Sequence, residues 1–263
     1  MDTHPPHGPV PPEGYKVIPA ATVVIFRKSP GGGPPELLMV QRAKEMRFAG
    51  GAAVFPGGRI DPADRTLASQ LTPDADHEVT AAKIAGIRET LEETGLLIAL
   101  RETVSAAQAS EARAMLLEGG EIAPVLDHFG WHLDLDRLVW FAHWCPKLDK
   151  AFDTRFFLTD LGTGAVDIAV DATENTRLFW VNAAGALDLA EAGEIAIIYP
   201  TRRNLERLAL FDSYHAACAQ TAEFPPYRIA PRKIDRDGER WLMIPDDQGY
   251  PVLGQPIATA RRG

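Results

Sequence analysis

Positive charge is in short supply in this chain. Its 263 residues carry 27 lysines and arginines against 36 aspartates and glutamates, for a formal net charge of -9. A chain so balanced has no broad basic surface for neutralising phosphates, which excludes sequence-independent nucleic-acid binding. It can still bind one phosphorylated small molecule if a divalent cation or a few arginines offset the local charge. Cysteine is nearly absent. Cys145 and Cys218 stand in unrelated contexts without a CxxC pair, so a thiolate zinc site is excluded and two reduced thiols are expected. Long apolar runs are missing as well. Stretches such as Ala20 to Phe26 are far shorter than the roughly 20 residues a spanning helix needs. The segment Met1 to Gly14 is rich in Pro and His and lacks the apolar stretch of a signal peptide, and the last residues match no lipidation or peroxisomal signal. The expectation is a leader over 1–16, a main domain over 17–222 and an extension over 223–263 packed on it, in a cytoplasmic protein with no membrane or nucleic-acid partner and room for a homodimer.

Val17 to Arg27 is β-branched and apolar, and Leu37 to Gln41 resumes the pattern after a Gly-Pro break; together they read as a hairpin. Ala52 to Phe55 is a short strand ending at Pro56-Gly57-Gly58, and the polar stretch Arg59 to His77 reads as a surface loop, dispensable for folding. Glu78 to Thr94 is a helix, capped by Asp74 or Asp76 and closed by Gly95, with Ile84, Ile87 and Leu91 as its core face. Further along, Leu96 to Leu100 reads as a strand, Ala106 to Glu118 as a helix, and Arg137 to Trp144, Phe152 to Leu158 and Leu178 to Val181 as strands. A short helix over Ala183 to Ala192, one long helix over Thr201 to Thr221, and a hairpin at Asp237-Gly238 complete the expectation. Mixed strands with separated helices imply an α+β chain, layered α/β/α around one main sheet.

The chemistry concentrates in Arg88-Glu89-Thr90-Leu91-Glu92-Glu93-Thr94-Gly95-Leu96. Residues three and four apart share a helix face, so Glu89, Glu92 and Glu93 cluster away from the apolar stripe. Like charges at this spacing repel, and they sit at the helix end where the dipole disfavours them. A hard divalent cation with oxygen ligands is the natural counter-charge. Arg88 can pair with Glu92 one turn on. Upstream, Gly57 and Gly58 let backbone approach a ligand closely, with carbonyls free to coordinate.

A strand, PGG, a helix and REXXEEXG in this order resemble the Nudix box, G-x5-E-x7-R-E-U-x-E-E-x-G-U, with U a bulky apolar residue. Gly58 matches the leading glycine and Arg88 to Leu96 the second half, with Thr90 at the first apolar position. Asp64 stands where the box has its first glutamate. Residues 65–87, twenty-three in all, fill a gap that is seven residues long in the box. AAVFPGGRIDPAD, GIRETLEETGLLI and AFDTRFFL together resemble the branch with an interrupted box related to peroxisomal acyl-coenzyme A diphosphatase, from about Ala20 to Ala219. Ala151 replaces the arginine that relatives carry before FDT.

That resemblance implies the Nudix fold, with its mixed sheet between helices, and hydrolysis of a diphosphate bond in a nucleoside diphosphate-linked small molecule with Mg²⁺ or Mn²⁺. It implies Glu89, Glu92, Glu93 and the Gly58 carbonyl as metal ligands, Arg88 as a support for one glutamate, and one glutamate as proton acceptor, with Glu174 as a candidate base on a later loop. Arg42, at the end of its strand, is a candidate phosphate contact, and Arg155 is a candidate for the cleft or for a cross-strand ion pair. His128 and His132 are spaced for one helix face, but Gly130 between them argues against a shared metal site. Trp140, Phe141 and Trp144 read as core. Coenzyme A or acyl-coenzyme A leads the substrate classes; ADP-ribose, NADH or a nucleotide sugar is the alternative, and a non-catalytic nucleotide sensor the rival from another class.

Overall fold

The computed structural model describes residues 15–43, 49–73, 76–147, 150–161 and 175–260. The elements in chain order are β1 (Ile18–Arg27), β2 (Glu36–Arg42), β3 (Ala53–Val54), β4 (Gly57–Arg59), α1 (Pro62–Leu71), α2 (His77–Thr94), α3 (Ala106–Gly119), α4 (Ile122–Phe129), β5 (Val139–Trp144) and β6 (Phe152–Asp160). They continue with β7 (Asn175–Asn182), α5 (Ala183–Glu191), α6 (Tyr199–Leu208), α7 (Tyr214–Glu223), β8 (Arg228–Ile229), β9 (Arg232–Arg236), β10 (Glu239–Met243) and β11 (Gly254–Pro256). Among the described residues the main sheet runs β3-β2-β1-β6-β5-β8, with β4 on β1 and β7 on β2, while β9 to β11 form a second, three-stranded sheet. This is the α+β arrangement expected, a mixed sheet flanked by helices and the fold of Nudix enzymes.

β1 is the axis of the sheet. It pairs in parallel with β6 over its whole length and antiparallel with β2 at one end and β4 at the other. Covered on both faces, it reads as a continuous β-branched run rather than an alternation. Ala21, Val23 and Ile25 face the first core with Ile84, Ile87 and Leu91 of α2; Val24 and Phe26 face the second with α5 to α7. Each fully buried aliphatic side chain contributes about 1.5–3 kcal/mol. α2 lies close on β1 because residue 86 is glycine: a Cβ there would fall 2.7 Å from Val23 Cγ2.

The hairpin of β1 and β2, the α3 helix, the aromatic strands β5 and β6, and the turn at Asp237-Gly238 stand as expected. Phe141 and Trp144 are core, and both cysteines are free thiols. Asp76 caps α2, its carboxylate accepting from the Glu78 and Val79 N–H groups at 3.0 and 3.3 Å; Asp74 lies outside the described residues. α4 ends at Gly130, short of His132, so the two histidines do not share a helix.

Three expectations need correction. Arg59 to His77 is not a surface loop. It holds the end of β4 and α1, starting at Asp61-Pro62, and it places Ile60 and Ala68 in the first core with Asp64 buried beside them. Leu96 to Leu100 is irregular apart from one bridge, Leu100 to Leu133; its apolar residues fill the core beneath α3 and α4 without joining the sheet. The single helix expected over Thr201 to Thr221 is two. Ser213 interrupts it, its hydroxyl accepting from the Ala216 N–H and starting α7 afresh. From residue 223 onward, Ile229, Ile244, Tyr250 and Ala260 enter the second core, and β8 joins the main sheet beside β5.

Candidate active site

Residues 52–59 form an arch inserted into the main sheet. Ala53 and Val54 pair with Gln41 and Val40 of β2, and Gly57 to Arg59 pair with Thr22 to Ala20 of β1. At its top the Pro56 carbonyl accepts the Val23 N–H at 2.9 Å. Gly57 has φ 154°, and a Cβ there would lie 2.2 Å from the Ala21 carbonyl oxygen; only glycine passes so close to β1. Gly58 is glycine for a different reason. A Cβ on it would stand 2.3 Å from the Glu89 carboxyl group, so the carboxylate and the bare backbone share one space.

The last two turns of α2 face this arch. Glu93 accepts the Gly57 N–H at 3.0 Å, which ties the helix to the PGG turn. Thr90, the odd residue in the box, is fully buried and donates its hydroxyl to the Gly86 carbonyl at 2.7 Å, so a polar side chain is tolerated at an apolar position. From α3, Arg113 donates twice to the Glu92 carbonyl, at 3.0 and 2.8 Å, putting a cation at the helix C-terminus to oppose the dipole and the crowded acids.

Arg88 is the hub. It is 4% exposed and holds Asp64 with a two-pronged fork, Nε to Oδ1 and Nη2 to Oδ2, both 3.2 Å. The same guanidinium donates to the Arg59 carbonyl at 2.9 Å, pairs with Glu89 at 3.0 Å, and reaches Glu92 and Asp61 at 3.4 Å. Asp64 in turn accepts the Asp61 N–H at 2.8 Å, closing the first turn of α1 onto α2. Burial pushes the Asp64 carboxyl above the ordinary aspartate range against the pull of Arg88. The surrounding acids outweigh burial at Arg88 itself and hold its proton more tightly than usual. Glu89 is pushed up to about 7, first by burial and then by Glu92, with Arg88 pulling the other way.

Among the described residues no trio of His, Cys, Asp or Glu closes into a ready-made cage. Glu89 and Glu92 lean onto Arg88, and Glu93 onto Gly57. The donor set nonetheless fits a hard divalent cation: three carboxylates on one helix face, no thiolate or imidazole among them, and a glycine backbone at contact distance from Glu89.

The remaining candidates fall elsewhere. Arg42 ends β2 at the same rim of the sheet, its N–H bonded to the Ala52 carbonyl at 3.0 Å, and its buried Nε has no hydrogen-bond partner among the described residues. Arg155 is buried between Ala21 and His143 on the sheet face that carries α2, and burial lowers its pKa. On the same strand Asp153 binds His143 at 2.6 Å and Arg228 at 2.8 Å. Glu174 lies outside the described residues. The sequence reading placed Asp64 at the box's first glutamate without assigning it a role, and passed over Asp61; the signal for their grip on Arg88 was Asp61-Pro62 with Asp64 three residues on, a helix start that aims acids at the first turn.

No family model matches the chain. A Nudix hydrolase of Alicyclobacillus acidocaldarius, known from a crystal structure, is 28% identical to it, with a TM-score of 0.66 over 78% of this chain and 97% of that one. An acyl-coenzyme A diphosphatase of Gallus gallus is 23% identical over 309 aligned positions, covering 88% of this chain and 79% of the relative.

Proposed function

This chain is a Nudix-type hydrolase, and from that premise we propose that it cleaves the diphosphate bond of coenzyme A or an acyl-coenzyme A with Mg²⁺ or Mn²⁺. The observation that carries the reading is the meeting of Glu89 and Glu93 with the Gly57-Gly58 backbone. Glu89, Glu92, Glu93 and the Gly58 carbonyl would hold the cation. When bound, it neutralises the diphosphate, polarises phosphorus and makes coordinated water more acidic.

This chain's residues supply the rest. The Gly57-Gly58 turn lets the backbone pass against β1 and the Glu89 carboxyl, and the Arg88–Asp64 fork fixes the helix face. One of the three glutamates would accept the proton of the attacking water at a carboxylate oxygen. Arg42, with an unpartnered buried Nε at the same rim, is a contact for a phosphate oxygen; Arg155 and Glu174 have weaker claims to the substrate. The coenzyme A class is favoured by the Gallus gallus relative's own activity and by the interrupted box. ADP-ribose, NADH and nucleotide sugars are the competing substrates. A purely sensory domain is disfavoured because every acid of the second half of the box is kept.

The test is incubation with Mg²⁺ and a panel of diphosphates, with products identified by mass spectrometry. Release of a phosphopantetheine fragment and adenosine 3′,5′-bisphosphate from coenzyme A supports the reading. Turnover of ADP-ribose or NADH alone replaces the substrate, and full turnover in excess EDTA removes the metal.

A further inference from the structure

A second concavity lies on the other side of the arch. It is a cleft of about 720 Å³, lined among others by Gln41, Gly51, Glu194, Arg202, Gln255 and Thr259. The strand register fixes its place. Phe26 pairs with Leu37 and the strands run antiparallel, so Gln41 and Arg42 lie at the end of the sheet where Ala21 pairs with Gly58. Ala53 pairs with Gln41, and the Gly51 N–H bonds to the Ala43 carbonyl. Gly51, just before the arch, and Gly58, on its second arm, therefore sit at one rim. Gln41 shares its sheet face with Met39 of the second core and α2 lies on the other face, so the rim of the arch stands between the Glu89 face and the cleft.

The lining tells what the cleft takes. Gln41, Gln255 and Thr259 are neutral polar groups; Gln255 accepts from Arg203 and donates to Thr259, which donates to the Pro256 carbonyl, so a ligand amide would join or exchange with these bonds. The charged groups at the cleft are Glu194 and Arg202, the latter paired with Glu191, so the lining carries no excess of positive charge for a second phosphate. Tyr199, the one aromatic residue lining the cleft among the described residues, is 3% exposed with its hydroxyl bonded to the Leu242 carbonyl, so it gives no platform for stacking a base.

We propose that this cleft receives the long, flexible, uncharged amide-bearing arm of a diphosphate whose phosphates lie at Gly58 and Glu89, the arm crossing the rim of the arch. The assignment rests on the coenzyme A reading above and adds where its specificity arises: in a long arm, able to round the rim of the arch, that a compact sugar lacks.

The experiment uses the full chain in two forms. Metal-free protein is titrated with pantetheine, which carries the arm and no diphosphate, and binding is read by saturation-transfer NMR. Mn²⁺-loaded protein is assayed on coenzyme A and ADP-ribose. Thr259→Trp and Glu194→Trp each place an indole in the cleft from an exposed position outside both cores. Pantetheine binds wild type and is lost in both variants; KM for coenzyme A rises about tenfold while kcat stays within about twofold, and turnover of ADP-ribose does not change. Unchanged pantetheine binding in the variants, or an equal KM shift for both diphosphates, overturns the assignment. Hydrolysis of coenzyme A with no pantetheine binding to wild type overturns the cleft and leaves the diphosphatase reading standing. Pantetheine binding that the variants abolish, with no diphosphate hydrolysed, supports the cleft and overturns that reading instead.

Discussion

Two arginines are buried on opposite sides of this molecule, and their surroundings differ in kind. Arg88, on the α2 side, is encircled by carboxylates: Asp64, Glu89, Glu92 and Asp61 all lie within 3.4 Å of its guanidinium. Arg207, on α6, is fully buried among neutral groups. It donates to the Phe141 carbonyl at 3.0 Å and to Gln220 at 2.7 Å, and it stacks on the Phe141 ring at 4.0 Å. Gln220 in turn donates to the Gly249 carbonyl, and Tyr250 donates to Asn204 at 2.8 Å, so this network fastens the Gly249-Tyr250 segment to α6 and α7. The α2 side holds more acid than its arginine can neutralise, and the proposed cation would supply the balancing charge. The Arg207 network is closed and serves the fold.

The strongest way to break this contrast is to remove the insertion that supplies Asp64. Replacing residues 61–76 by a short linker takes away Asp64 and Ala68 and uncovers α2, and cooperative thermal unfolding should be lost. A deletion protein that melts like wild type would return the segment to the surface. Next in size, Arg88→Met should cost about 3–5 kcal/mol in urea denaturation, because it strands the buried Asp64 carboxylate. A change below about 1 kcal/mol would mean the fork contributes nothing to the fold.

Smaller is a pH effect at Glu89. A carboxyl whose folded pKa is raised to about 7 stabilises the fold fully below its unfolded value near 4 and loses that contribution as pH rises through 7. In metal-free protein Glu89→Gln should therefore match wild type at pH 4 and exceed it by on the order of 2 kcal/mol at pH 8. Equal stability of the two across that range would place Glu89 in ordinary solvent. Smallest of all, Arg207→Met should shift stability by no more than about 1.5 kcal/mol, since a desolvated cation with neutral partners gives way to an apolar chain of similar size. A loss as large as that of Arg88→Met would erase the contrast.

How much of this could be read from the chain follows the same division. α2 and its acids were legible because everything defining them is local: a cap, a 3.6-residue stripe, a closing glycine. The arch was half legible, since PGG marks a turn but not the strand it inserts beside β1. α1 was missed because PADRTLASQL buries little beyond Asp64 and Ala68, so hydrophobic period is silent and only the Asp-Pro start speaks. The break between α6 and α7 was hidden because Leu210 and Phe211 continue the apolar pattern across it while Ser213 resets the backbone. The α6 network left no trace at all. Arg203, Asn204 and Arg207 look like a solvent face in sequence, and only tertiary packing turns them inward.

The central claim is that the α2 acids serve a cation and the diphosphate it holds. Its most direct test is one comparison, wild type against Glu93→Gln, by Mn²⁺ titration and by turnover of coenzyme A at saturating metal. Weaker Mn²⁺ binding and a fall in kcat of about 100-fold or more, with the melting temperature kept, is the expected result. Wild-type affinity and wild-type turnover in Glu93→Gln would contradict the account.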